Sequence, residues 1–349
     1  MMRKNKHYLS KRDMLKLWID PNVDVPIKEW LYTNCLGEQL VDMTIKKQKL
    51  SRPRTWLESN AIVLIRHNSS AVFLDEQLKY ASYNGHREVV KLLLECGNGR
   101  IDPSADNNHA IRMASRHGYS KIVKYLLECG DERIDPSAHD NYAIQNASCG
   151  GRTKVVRLLL ECGDSRIDPS AGNNYAIRVA SSNGHAEVVK HLLECDDERI
   201  DPSADDNYAI RTASHNGHSE VVKHLMRCNN EHIDPSADNN HAIRMASHCG
   251  YLEIVRLLLN YGDKRFDHSA DEYWSIGAAT GNGHTKIAKL LMEYGDERAD
   301  PSADNNYAIR FARRNGHFEI VKLLGEKIAA RKVAKSTRMI KSKRRLPPS

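Results

Sequence analysis

IDPSADNNHAIRMAS occupies residues 101–115, and the same fifteen residues recur at 233–247. The copies lie 132 residues apart, four times 33, and near-copies stand at the steps between: IDPSAHDNYAIQNAS from Ile134, IDPSAGNNYAIRVAS from Ile167 and IDPSADDNYAIRTAS from Ile200. FDHSADEYWSIGAAT from Phe266 and ADPSADNNYAIRFAR from Ala299 continue the series. A copy eroded at its front begins near Asn68 and becomes legible at LDEQLKYASYNGHREVVKLLLEC. Eight copies at one 33-residue period describe stacked units, each too small to bury its apolar face without a neighbour. A duplicated catalytic loop would not recur at a fixed period.

One copy, residues 101–133, carries the local logic. Asp102-Pro103-Ser104 is turn chemistry, because proline fixes φ and the Asp and Ser oxygens bond nearby backbone. Asn107 and Asn108 tolerate positive φ and make good N-caps, so a helix is expected from about His109 to His117. Gly118, with Gly85, Gly151, Gly184, Gly217, Gly250, Gly283 and Gly316 at the same place, suits a left-handed residue between two helices. A second helix is expected from Ser120 to Cys129, with Ile122, Val123, Leu126 and Leu127 as its apolar stripe and Lys121, Lys124 and Glu128 on the wet side. Neither helix reaches the ~12–15 residues that would make it stable alone. The fold class that follows is all-α, a solenoid of helix-turn-helix units with short finger turns.

This unit resembles the ankyrin repeat, most directly at NGHAEVVKHLL (183–193) and NGHSEVVKHL (216–225). The resemblance covers about 258 of the 349 residues, 68–325. One departure is that the family's T-P-L-H reads Y-A-I-R or H-A-I-R here, with Arg112, Arg178, Arg211, Arg244 and Arg310 at the histidine's place. These arginines are expected to reach a carboxylate or carbonyl of a neighbouring finger, with Asp135 one repeat on from Arg112 and Asp201 one repeat on from Arg178. Arrays so uniform and divergent also resemble those encoded in quantity by large DNA viruses of amoebae.

The resemblance implies a non-catalytic scaffold that binds protein partners through the concave face lined by the first helices. Variation among the copies concentrates at three places on one side of that helix, those of His109, Met113 and Arg116. The candidate partner-reading residues are therefore His109, Met113, Arg116, Asn146, Val179, Ser182, Thr212, His215, Met245, His248, Trp274, Phe311 and Arg314. Drift at exposed positions would produce the same variation. Copy seven departs furthest, with His268 for proline, Tyr273 for the capping Asn, Trp274, and Gly277 for the recurring Arg. It is expected to open before its neighbours. Trp274 shares its side with Ala278 and Gly281, small residues that leave room for a partner; the rival expectation is that Trp274 packs on the adjacent repeat.

No catalytic, cofactor or metal constellation is expected. GAATGNGH (277–284) lacks the Lys-Ser/Thr of a phosphate loop, and DPSADNN lacks an EF-hand's glycine and terminal glutamate. His86, His185, His218, His284 and His317 follow the inter-helix glycine in five of the eight copies, as a structural residue would. Cys96, Cys129, Cys162, Cys195 and Cys228 also recur at the period, and Tyr261 and Tyr294 take the place later, which suits a small apolar residue at a helix end better than a disulfide or zinc ligand. Such cysteines point to a reducing, intracellular setting.

The net charge of +7 is unevenly spread. Residues 326–349 carry nine Lys/Arg against Glu326, residues 1–67 carry thirteen against seven acids, and the array between them is net −7. Arg331-Lys332 and Lys343-Arg344-Arg345, ten residues apart, have the spacing of a bipartite nuclear-import signal. The basic tail could also contact nucleic acid or an anionic membrane, or remain a disordered solvated extension after the last helix. Residues 1–67, with Trp18, Trp30 and Trp56, are expected to form a helical cap on the open end of the stack. If that segment recruited a ubiquitin ligase the array would be a substrate adaptor, although no F-box-like or BTB-like pattern is visible. The opening MMRKNKHYLSKRD lacks the apolar run of a leader, no stretch is apolar enough to span a membrane, and a monomer is expected.

Overall fold

The computed structural model describes residues 71–96, 99–228, 232–261, 272–294 and 303–343. The expected cap, 1–67, lies outside the described residues, as does the turn of copy seven with His268. Sixteen helices and no strand occur among the described residues. The chain divides into two compact units, Met1–Asp168 and Pro169–Ser349.

The first unit contains α1 (Ala71–Asn84), α2 (Arg87–Cys96), α3 (Ala105–His117), α4 (Ser120–Glu128), α5 (Ala138–Cys149) and α6 (Thr153–Glu161). First helices pack on first helices (α1 on α3, α3 on α5), and second helices on second (α2 on α4, α4 on α6). The second unit repeats the plan with first helices α7 (Ala171–Ser182), α9 (Ala204–Asn216), α11 (Ala237–Cys249), α13 (Glu272–Gly281) and α15 (Ala303–Arg314). Its second helices are α8 (Ala186–Glu194), α10 (Ser219–Arg227), α12 (Leu252–Asn260), α14 (Thr285–Tyr294) and α16 (Phe318–Lys343). In each copy the core is the predicted stripe, for example Ala110, Ile111 and Ala114 with Ile122, Val123 and Leu126, all 1% exposed or less. Leu127, read as part of that stripe, is half-buried.

The finger differs from a simple helix start. Asp106, Asn107 and Asn108 all adopt left-handed backbone, with φ of 55°, 54° and 60°. His139–Asn141, Gly172–Asn174, Asp205–Asn207 and Asp238–Asn240 do the same. Left-handed residues other than glycine cost ~1–2 kcal/mol each, and Asn and Asp adopt the region most readily. The second Asn does not cap its own helix. It is buried, and Oδ1 of Asn108 accepts the backbone N–H of Asp135 in the next copy at 2.8 Å. Asn141 does so for Asp168 (2.7 Å), Asn174 for Asp201 (2.8 Å) and Asn207 for Asp234 (2.8 Å). In the first copy Asp75 takes the part, accepting from Asp102. Asp102, Asp135, Asp201 and Asp234 of the DPS turns in turn accept from their own Ser, as Asp135 does from the Ser137 N–H and hydroxyl.

A third polar rung runs between the helix ends. In the second unit Asn216 Nδ2 and His218 Nε2 donate to the Ser182 carbonyl at 2.8 and 3.1 Å. Asn282 and His284 reach the His248 carbonyl, and Asn315 and His317 that of Gly281. The histidine ring then lies over the preceding copy's glycine. Gly184 has φ 78°, and a Cβ there would meet the His218 ring at 2.5 Å, so glycine is required for both conformation and space. The recurring Gly-His pair is thus an inter-repeat latch.

Among the described cysteines of the series, Cys129 and Cys162 are exposed and Cys195 and Cys228 half-buried, each with its sulfur against the helix end. Cys129 and Cys162 Sγ donate to the Leu126 and Leu159 carbonyls, and this partial burial raises the thiol pKa of Cys129, Cys162 and Cys195. A buried serine also recurs: Ser115, Ser148, Ser181, Ser214 and Ser247 are 0% exposed, and their hydroxyls have no hydrogen-bond partner. The last repeat ends differently from its sequence reading. Its second helix does not stop near residue 325 but continues unbroken to Lys343, taking Arg331 and Lys332 into the helix.

Candidate binding face of the first helices

Three places per first helix were expected to read a partner, and they are not equally available. At the third place Arg116, His215, His248 and Arg314 are exposed, while Cys149 and Ser182 are half-buried. At the second place Asn146, Val179, Thr212, Met245 and Phe311 are half-buried, and Thr212 returns its hydroxyl proton to the Tyr208 carbonyl at 2.8 Å. Met113 is only 8% exposed, so its side chain fills the space between first helices and offers little surface. At the first place His109 is half-buried and lies next to Asp106, Arg112 and Lys79; burial, the largest influence, lowers its pKa. Burial likewise lowers that of His241.

Tyr80 and Tyr83 on α1 are 57% and 49% exposed and occupy the second and third places of the first copy. They fall outside the sequence-derived set, yet the same 33-residue register marks them. In the second unit Tyr175 is also exposed.

Trp274 is half-buried against α11, with the Arg244 guanidinium 4.8 Å from its ring and the His248 ring at 6.0 Å. The expected free room beside it is taken. Tyr307 and Phe311 of α15, their rings stacked 5.5 Å apart, sit against Gly277 and Gly281. A Cβ at Gly277 would meet the Tyr307 ring at 2.6 Å, and one at Gly281 would run into Phe311. The glycines of copy seven are therefore a seat for the rings of copy eight. Packing on the neighbouring repeat is where the structure places Trp274.

Two of the recurring arginines, Arg178 and Arg211, tie the fingers in two directions. Arg178 Nε donates to the Asn173 carbonyl of its own finger at 2.9 Å, while Nη1 meets Asp205 of the next at 2.6 Å, above the Tyr208 ring. Arg211 does the same with Asp206 and Asp238. The acceptor is the first left-handed residue of the finger, Asp205, and not Asp201 as expected. Asp201 is already held by Ser203. Arg112 reaches no acid at Asp135, which is bonded to Ser137. A second set of arginines approaches from the loops: Arg133 grips Asp131 and donates to the Ile101 carbonyl, and Arg166 grips Asp164 and donates to that of Ile134. The guanidinium hydrogen bond is the main cause holding the Asp131 and Asp164 carboxyls below their ordinary range.

These arrangements supply surface and stacking. Among the described residues no group of three or more His, Cys, Asp or Glu is placed to hold a metal ion, and no helix is long and apolar enough to cross a membrane. The architecture is that of an all-α repeat protein built from paired short helices. A family model for ankyrin repeats (3 copies) matches residues 64–140 and 176–269, so stretches of both units are similar to ankyrin repeats. A search of curated proteins returned no match. Ankyrin repeats generally mediate protein–protein interaction.

Proposed function

We propose that the chain is a non-catalytic scaffold that binds protein partners through the first-helix face of its repeats. The supporting observation is the contrast between rows. The Asn and apolar rungs are buried and nearly identical through copies two to six, whereas the exposed third place changes from Tyr83 to Arg116, His215, His248 and Arg314. Tyrosine and arginine are the side chains that most often dominate interface energetics. The test is affinity capture from the native cell with two variants of the full chain. Arg116→Glu/His215→Glu/His248→Glu should lose partners that the parent retains. Lys124→Glu/Lys154→Glu, changed on the exposed side of second helices, should keep them. Equal retention by both variants would refute the reading.

A competing class rests on α16, which carries Lys327, Arg331 and Lys332 on one unbroken helix beyond the last apolar residues of the array. If the chain is a nucleic-acid-associated regulator, polynucleotide binding should fall steeply with salt, since each neutralised phosphate releases counterions. Deleting residues 327–349 should then abolish it. The ubiquitin-ligase adaptor reading depends on residues 1–67, outside the described residues.

A further inference from the structure

Within each unit, the junctions between copies allow one position to be compared with itself. A cation on the first helix meets a carboxylate on the first left-handed residue of the next finger: Lys79 with Asp106 at 3.8 Å, Arg178 with Asp205 at 2.6 Å and Arg211 with Asp238 at 2.8 Å. Arg112 stands in the same place in copy two. Its Nε and Nη2 hold the Asn107 and Asp106 carbonyls at 2.8 and 3.0 Å, as Arg178 and Arg211 hold theirs. Its guanidinium lies 5.3 Å from the Tyr142 ring, matching Arg178 over Tyr208. The frame is the same and only the acid is missing, because residue 139 is histidine.

Among the described residues Arg112 therefore has no carboxylate partner. Two further nitrogen-bearing groups gather round the same Tyr142. The exposed Arg116 donates to the tyrosine hydroxyl at 3.3 Å, and the exposed His139 ring stands 5.7 Å from the tyrosine ring. The neighbouring Asp106 is turned back to Lys79, and Gln145 is spent on the Asp140 carbonyl. Arg112, Arg116 and His139 thus make a small basic surface around an aromatic wall, on the face that carries the exposed Tyr83.

We propose that this place takes a carboxylate from a partner protein: an Asp or Glu of an acidic segment seated on the Nη1 edge of Arg112, as Asp205 and Asp238 are seated on Arg178 and Arg211. The inference rests on the scaffold reading and names the chemistry of one anchor within it. The internal precedent favours a carboxylate over a phosphate. Two of the guanidinium's five N–H donors, one on Nε and one on Nη2, are already committed to finger carbonyls, so the side-on fork is occupied and the Nη1 edge is left. That edge is used twice among the described residues for a single carboxylate oxygen.

The test uses the full chain and nitrogen-detected NMR of its arginine Nε–Hε groups, titrated with a Glu-Ser decapeptide, its Gln-Ser counterpart and inorganic phosphate. The Arg112 signal should move saturably with the Glu peptide alone. His139→Asp restores the internal acid in a backbone conformation that Asp already adopts at 205 and 238. This variant should bind the Glu peptide about tenfold more weakly, the equivalent of one lost charged contact, with an unchanged or higher melting temperature. Asp205→His should do the reverse and make Arg178 respond. The proposal is overturned if His139→Asp binds the Glu peptide as the parent does, if the Gln peptide acts equally, or if phosphate alone shifts Arg112. Capture separates the two readings. A partner lost with Arg116→Glu/His215→Glu/His248→Glu but kept with His139→Asp would leave the scaffold standing and remove this anchor.

Discussion

The junction between copies five and six and the junction between copies seven and eight join the same pair of helices with different chemistry. At the first, Asn207 accepts the Asp234 N–H and Arg211 meets Asp238. At the second, Tyr307 and Phe311 lie on the bare backbone of Gly277 and Gly281. Both junctions belong to the second unit, and the latch of Asn and His on a helix-end carbonyl recurs beside Phe311 as it does elsewhere. The difference teaches that the repeat period demands a filled contact, not a particular residue. A polar rung depends on direction and a ring-on-glycine rung on volume, so they should break differently.

The largest effect is expected at the polar rung. Asn207→Ala leaves the part-buried N–H of Asp234 without its acceptor, at ~1–3 kcal/mol, and places an ordinary side chain in left-handed backbone, at ~1–2 kcal/mol more. Asn207→Asp should lose far less, because Asp75 already plays this part for Asp102. Hydrogen exchange of the Asp234 amide reads the result directly. If Ala and Asp variants protect that amide equally, the ladder is incidental.

Next comes the glycine seat. Glycine to alanine inside a helix ordinarily stabilises by ~0.8–1 kcal/mol, but here the new methyl runs into Phe311. Gly281→Ala should instead cost ~1–3 kcal/mol as overpacking. Gly281→Ala/Phe311→Ala should recover the clash but not the buried ring. A gain in thermal stability for Gly281→Ala would show that α15 adjusts freely and that the two junctions do not differ in kind. The same seat sets a contact against the expected early opening of copy seven, since its glycines are covered by rings.

The sequence made the repeat, its period and the turn–helix–Gly–helix unit legible, because apolar spacing and glycine placement are local signals. It also showed which residues vary. What it could not show was which variable residues are free. Met113 and Arg116 are three apart on one helix, yet Met113 is buried by the neighbouring first helix while Arg116 is exposed. That outcome depends on the angle between stacked copies, which no single copy encodes. Asn108 was misread for a related reason: as an isolated residue it is a good cap, but its acceptor points 27 residues onward to Asp135. Likewise the arginine's reach to a neighbouring finger was legible and its target, Asp205 in place of Asp201, was not. Serine hydroxyl satisfaction was also invisible in the sequence.

That serine column supplies a change of opposite sign. The Ser214 hydroxyl is fully buried and unbonded, so Ser214→Ala removes an unsatisfied polar group and adds helix propensity. Both terms favour the variant, by ~0.5–1 kcal/mol together. A drop in melting temperature would mean that the hydroxyl is bonded in solution.

The smallest effect should come from the ion pair that recurs on the fingers. Arg178 and Asp205 are 2.6 Å apart, but the Asp side chain is 49% exposed, so solvent and salt screen most of the attraction. Arg178→Ala by itself also releases the finger carbonyls of Asn173 and Gly172 and uncovers Tyr208, and its loss will exceed the value of the pair. A double-mutant cycle with Asp205→Ala isolates the charge term, expected at ~0.5 kcal/mol in low salt and near zero in high salt. The comparison that matters is Arg112 with His139→Asp, where the same coupling should appear only after the acid is supplied. Equal coupling of Arg112 to histidine and to aspartate would mean that the finger is held by its carbonyls alone, and that the carboxylates at 205 and 238 decorate a junction already made.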